Sequence, residues 1–127
     1  MSTPTYTSEQ IIDLLFTNST KYVSEHTGDP GATGANEVAS GVDANYVRKP
    51  TTLVKSLSGT IYRARNSADV VFNAAAAGAS YSVTHLGIWD AASDGNFLGG
   101  LALPVAIPVV VGTINTFALN DIVIRGD

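Results

Sequence analysis

The chain has no cysteine, which removes disulfide frameworks, thiolate zinc sites and cysteine nucleophiles from consideration. Charge is scarce as well: Asp, Glu, Lys and Arg make up 14% of its 127 residues, against about 25% in a typical soluble domain. Ala, Gly, Ser, Thr and Asn fill the difference, a surface suited to being covered by copies of the same chain or by other proteins. A basic footprint is also missing. With a net charge of −4 and a pI of 4.9, nucleic acid is not an expected partner. No apolar run reaches the ~18 residues of a membrane span, and the opening MSTPTYTSEQ has no positive region leading into an apolar core, so neither membrane insertion nor secretion is expected. The longest apolar stretch, LALPVAIPVVVG from Leu101 to Gly112, contains two prolines and predicts extended chain passing through an interior or an interface.

What is present suits one domain spanning residues 1–127, large enough to bury a core without cross-links. Thr7 followed three residues later by Gln10, and then by Ile11, Ile12, Leu14, Leu15 and Phe16, reads as a capping box opening an amphipathic helix over residues 7–18, with Tyr6 and Ile11 placed for a hydrophobic staple. After it the helical period disappears. Short β-type segments alternate with turn clusters, which predicts a mainly β fold: an antiparallel β-sandwich of jelly-roll or Ig-like type behind one N-terminal helix. Strands are expected at Lys21–His26, Tyr46–Ser56, Thr60–Ala64, Ala68–Phe72, Ser82–Trp89, Phe97–Leu103 and Thr116–Arg125. The large side chains on both parities from Tyr81 to Trp89 predict a strand covered on both faces. Within the last segment, Phe117 and Leu119 share one parity and Ile122 and Ile124 the other, so a bulge is expected at Asn120 and Asp121.

Few residues carry candidate chemistry. His26, Asp29 and Glu37 lie in a Gly-rich stretch, but Asp29 and Glu37 are eight apart with no acid between them, unlike a calcium loop. Turn chemistry explains more of it: Asp29 for an Asx-turn, Pro30 to fix φ, and Gly28, Gly31 and Gly34 for positive φ. Asp90, Asp94 and Asn96 could converge on a cation, yet Asp94-Gly95-Asn96 between two β segments is a hairpin signal. Neither histidine, His26 or His85, sits in a nucleophile motif, and His85 is expected to be buried or at an interface and bonded to backbone. Asn18-Ser19-Thr20 fits a glycosylation sequon but reads more simply as a helix stop. Arg125-Gly126-Asp127 is an adhesive tripeptide with no loop to present it. Tyr22, Tyr46, Tyr62, Tyr81 and Trp89 fall in strands, where aromatic residues are core and interface material first and a sugar platform second. No catalytic, cofactor-binding or metal-binding residue is assigned, and no cofactor is expected.

KYVSEHTGDPGATGANEVASG (Lys21–Gly41), NYVRKP (Asn45–Pro50), NSADVVFNAA (Asn66–Ala75) and VTHLGIWDAASDGNFLGGLAL (Val83–Leu103), in that order and spacing, resemble a family of small bacteriophage virion proteins commonly labelled tail fibre or minor tail proteins. The resemblance runs from about Tyr22 to Ile124. Tyr46 and Arg48 fill the family's Tyr-x-Arg positions, and Thr84, His85, Gly87, Trp89 and Asp90 fill a later strand. The chain departs from the pattern at Glu25, where an apolar residue is usual, and at Pro104–Gly112, which is richer in proline. The resemblance implies a non-enzymatic structural protein of the virion, partnered by other virion proteins and by copies of itself, with a trimer expected. Capsid decoration and adhesion to a host glycan are the alternative roles.

Overall fold

A computed structural model describes residues 3–127; Met1 and Ser2 of the N-terminal stretch lie outside the described residues. Helix α1 spans Thr5–Ile12 and runs on as one π-helical turn, Asp13–Thr17. Among the described residues nine strands follow: β1 Lys21–His26, β2 Lys49–Thr51, β3 Leu53–Ser58, β4 Ile61–Asn66, β5 Val70–Val71, β6 Ser80–Trp89, β7 Phe97–Val110, β8 Thr116–Phe117 and β9 Val123–Arg125. They form antiparallel sheets ordered β2-β1-β6-β7, β3-β4-β9 and β5-β8. The fold is mainly β and sandwich-like. One contiguous core joins Ile12 and Phe16 of the helical segment to Val23, Leu86 and Ile88 of the first sheet, Leu53, Ala64 and Ile124 of the second, and Val70 and Phe117 of the third.

The helix begins two residues earlier than its sequence predicts. Pro4, extended at φ −60° and ψ 151°, is the N-cap, and no side chain caps the first turn. Pro4 has its φ fixed by its ring, and its carbonyl accepts the Ser8 N–H at 2.9 Å, so the turn starts there and Thr7 falls inside it. There is no staple, because Tyr6 is 73% exposed. The stripe that faces the core is Ser8, Ile12 and Phe16, at four-residue spacing, while Leu14 and Leu15 stay exposed. The buried Ser8 hydroxyl accepts the Tyr62 N–H at 2.7 Å, and Lys55 reaches Glu9 and Asp13 at 2.7 and 3.0 Å. Both tie the helix to β3 and β4.

β1 has its expected bounds, but the segment expected as one strand from Tyr46 to Ser56 is two. β2 and β3 are separated by Thr52 and belong to different sheets; this connection moves the chain from one layer to the other. The last segment divides in the same way into β8 and β9. At the expected bulge there is instead a turn, with Asn120 at φ 69° and the Asp121 N–H donating to the Ala118 carbonyl at 3.0 Å. Asn66, fully buried at the end of β4, holds this turn: its amide donates to Ala68 O and Ala118 O, each at 2.9 Å, and its Oδ1 accepts the Ile122 N–H at 2.9 Å.

β7 is much longer than the expected Phe97–Leu103. It takes up most of the apolar Leu101–Gly112 run as an edge strand of the first sheet, not as chain threading an interior. Thr84 of β6 faces Leu103–Ala106 of β7 in a wide bulge between the pairs Val83↔Ile107 and His85↔Ala102. Proline lacks the N–H that a ladder needs, and bulges and edges are where strands tolerate it; Pro104 lies in this bulge.

Replacing Asn66 with Ala removes three hydrogen bonds and leaves the Ile122 N–H unpartnered in the interior. The expected cost is about 3 kcal/mol, read as a lower urea midpoint at unchanged slope.

Candidate functional site

β1 and the Leu86–Trp89 half of β6 are buried on both faces. On one, the pairs Val23↔Ile88 and Glu25↔Leu86 enter the core. On the other, Tyr22↔Trp89, Ser24↔Gly87 and His26↔His85 lie beneath the Gly-rich stretch, which folds back as a loop. Its ends are tied by the His26↔Glu37 bridge, the Thr27 N–H to Asn36 O at 3.0 Å and the Val38 N–H to Glu25 O at 3.0 Å. Asp29 makes the expected Asx-turn to the Gly31 N–H at 2.8 Å, and Gly31 and Gly34 have positive φ, as does Asn36 at 66° in place of Gly28. A Cβ on Gly34 would lie 2.4 Å from the Trp89 ring, and one on Gly87 would lie 2.5 Å from Ser24 Oγ. Only glycine allows so close an approach at these two positions.

Polar groups caught under the loop find partners there. Trp89 Nε1–H donates to Ser24 Oγ at 2.8 Å, and the Ser24 hydroxyl donates to His26 Nε2 at 2.7 Å. Since the Ala35 carbonyl can only accept, the proton on His26 sits on Nδ1, which donates to it at 2.7 Å. Burial holds His26 below its usual pKa, against the Ala35 hydrogen bond and Glu37, which favour the charged form. The ring therefore stays neutral, as the chain requires.

Arg48 closes the outer side. Its guanidinium grips Glu37 with Nε and Nη2 at 2.9 and 2.8 Å, donates from Nη1 to Ala91 O and Asp94 O at 3.0 and 2.8 Å, and lies 3.8 Å above the Trp89 ring. Tyr46 O–H donates to Glu37 Oε2 at 2.8 Å and accepts the Glu25 N–H at 3.0 Å, taking the place of a strand neighbour where β2 has ended. Burial works against ionisation of Glu37, but the bonds from Arg48 and Tyr46 outweigh it and keep the carboxyl below its ordinary range. The phenol of Tyr46 is driven up by burial and then by Glu37. This is a staple between the loop, the Tyr46–Arg48 segment and the β6–β7 turn. A shallow hollow of about 250 Å³ beside it is lined by Glu37, Tyr46, Arg48 and Ser93.

A second buried group lies on the core face. Glu25 is 2% exposed and accepts from Asn115 Nδ2 at 2.6 Å. Burial pushes its carboxyl up to about 7; the Asn115 bond lowers it and nearby Asp43 adds to the rise. Asp43 itself is held below its ordinary value: burial opposes this, but the Ala76 N–H, Tyr81 O–H and Asn45 N–H all donate to it.

The remaining candidates are used locally. Asp90 accepts from Asn96 at 2.7 and 2.8 Å, and Asp94 and Gly95 form the turn at φ 56° and 74°. His85 is half-buried, not buried, and its Nδ1 meets the Thr84 hydroxyl at 2.8 Å instead of backbone, because the wide bulge opens beside it. Asn18 ends the helix through Leu14 O at 3.1 Å. Arg125 and Asp127 bond each other at 3.1 and 2.8 Å, and Gly126 between them is buried against Ser8 and Ile12, so the two charged side chains of the tripeptide are spent on each other. Among the described residues no three His, Asp or Glu side chains gather as metal ligands, and no helix is long and apolar enough to cross a membrane. Arg48 and Glu37 escaped the sequence reading as a pair, although Arg48 stands in the Tyr-x-Arg motif.

The family described as podophage GP4 fiber I protein gp80 matches residues 2–125, and the chain belongs to it. No curated protein matches the chain.

Two outcomes check the buried charges. The folded-state pKa of Glu25 lies above its unfolded value near 4.5, so its contribution is fully present below pH 4.5 and is lost as pH rises through 7, by about 3 kcal/mol. Glu25→Gln should remove that fall and raise the denaturation midpoint at pH 8 while changing little at pH 4.5. Arg48→Lys keeps the charge but loses the fork and the stacking, and should cost about 2 kcal/mol by urea denaturation.

Proposed function

We propose that this member of the podophage fibre family is a non-enzymatic tail-fibre subunit, working as one domain over residues 1–127 and assembling as a homotrimer that also contacts other virion proteins. The observation that carries this reading is an apolar surface at the far end of the first sheet. Val105, Val110, Val111, Ile114 and Leu119 are 51–74% exposed, beside a cleft of about 440 Å³ lined by Leu103, Pro104, Ile107 and Phe117. Fully burying a valine or leucine contributes about 1.5–3 kcal/mol, so covering these side chains, which lie on β7 and the chain that follows it, would favour association. With only 14% charged residues, little on the surface opposes contact between copies.

The backbone at this end is closed to strand addition. Val110 N–H donates to Thr113 Oγ1 at 3.1 Å and Val110 O accepts the Thr113 N–H at 3.0 Å, and Pro108 has no N–H. Contact between copies therefore runs through side chains and not through a shared sheet. A glycan platform has less support: Tyr46, Tyr81 and Trp89 spend their polar ends on Glu37, Asp43 and Ser24.

Light scattering should give about 40 kDa, three times the 13.2 kDa chain. Val110→Asp with Val111→Asp should give monomers of unchanged circular dichroism; a monomeric native protein would sink the homotrimer. Electron microscopy of the virion decides between the tail and a decorated head.

A further inference from the structure

The β3-β4-β9 sheet has two unlike faces. Tyr62, Ala64 and Asn66 of β4 and Ile124 of β9 turn toward the core and the helix. Alternation puts Arg63 and Arg65 of β4 on the outer face, with Arg125 of β9 directly opposite Arg63. Side chains opposite each other on paired strands stand about 5 Å apart at Cβ, and like charges so placed destabilise the pair. Three of the chain's seven cationic residues share this patch.

The other four are occupied. Arg48 holds Glu37, Lys55 holds Glu9 and Asp13, Lys49 reaches Asn73, and Lys21 reaches Asn18 and Ser19. Arg125 is bound by Asp127. Neither Arg63 nor Arg65 takes part in an ion pair among the described residues. Arg63 Nε is, moreover, the one buried side-chain nitrogen or oxygen among them without a hydrogen-bond partner. Buried donors are nearly always satisfied, and an exception points to a missing acceptor.

We propose that this outer face is a binding site for an oxyanion, a phosphate or carboxylate group, gripped by the guanidinium forks of Arg63 and Arg65. Arg125 stands beside them with its charge taken up by Asp127, and Ser56, opposite Arg63 in the register, supplies a neighbouring hydroxyl. Guanidinium presents planar paired donors that match such groups in two-point contact. The group is either a free small anion or one of many along a polymer.

The test uses the whole protein and two probes, inorganic phosphate and polyphosphate, each against sodium chloride of equal ionic strength. Thermal midpoint and calorimetric titration should both report saturable binding that chloride does not mimic. Arg65→Gln should weaken it about tenfold, and Arg65→Lys, which keeps charge but not the fork, should fall between. Arg63→Gln is a second variant, its fold checked by circular dichroism. Tighter binding of polyphosphate per phosphate group, weakening steeply with salt, assigns a polymer; equal binding per group assigns a small anion. A response that follows ionic strength alone, or survives unchanged in Arg65→Gln, overturns the site. So does loss of the native oligomer in Arg65→Gln without any change in phosphate binding, which makes the face a contact between copies.

Discussion

The β1–β6 pair is covered on both faces by protein, so each polar group between the strands and the loop must be satisfied there and not by water. Most of the structure around it follows from that constraint. Trp89, Ser24 and His26 pass hydrogen bonds in one direction because the Ala35 carbonyl at the end of the line can only accept. Tyr46 serves the Glu25 N–H that β2 is too short to reach. Glycines at 34 and 87 set the distance at which the loop lies down. Lengthening any one of these contacts would strand a donor or acceptor under the loop, where an unmade hydrogen bond costs far more than a made one contributes.

Much of the fold was legible in the sequence because it is written in local chemistry. β1, the Asx-turn at Asp29, the Asp94-Gly95 turn and the two-sided burial of β6 from Leu86 to Trp89 all follow from neighbouring residues. The misses have a different origin. Where Thr52 divides a β segment, both halves have strand-like composition, and only the packing of two layers says which sheet each joins. The helix start moved because Pro4 fixed the first turn while Thr7 merely offered a cap. β7 outran its expected length because the two prolines of the extended run are tolerated at a bulge and on an edge. The Arg48–Glu37 grip, eleven residues apart, and the Trp89–Ser24 bond, sixty-five apart, have no local signature. Tertiary pairing of this kind appears only once the strands are in register.

Glu25 places a carboxyl in the core beside Val23 and Leu86. Near neutral pH its carboxyl is divided between protonated and ionised forms, and with Asp43 close by, both cannot carry charge freely. The Asn115 amide binds it from the segment between β7 and β8. That bond links the centre of the first sheet to the connection beside the exposed valines, so this end of the molecule is anchored to a titrating group in the interior.

The closed backbone at Val110 has a consequence for growth. A sheet edge that recruits another edge leaves a fresh edge behind it, and addition of that kind has no natural end; it leads to fibrils of indefinite length. Contact through side chains can instead be satisfied by rotational symmetry that brings the last copy back to the first. Whatever meets this end of the molecule, where Thr113 seals the backbone at Val110, meets it through side chains, and an assembly built on such contacts can stop at a counted number.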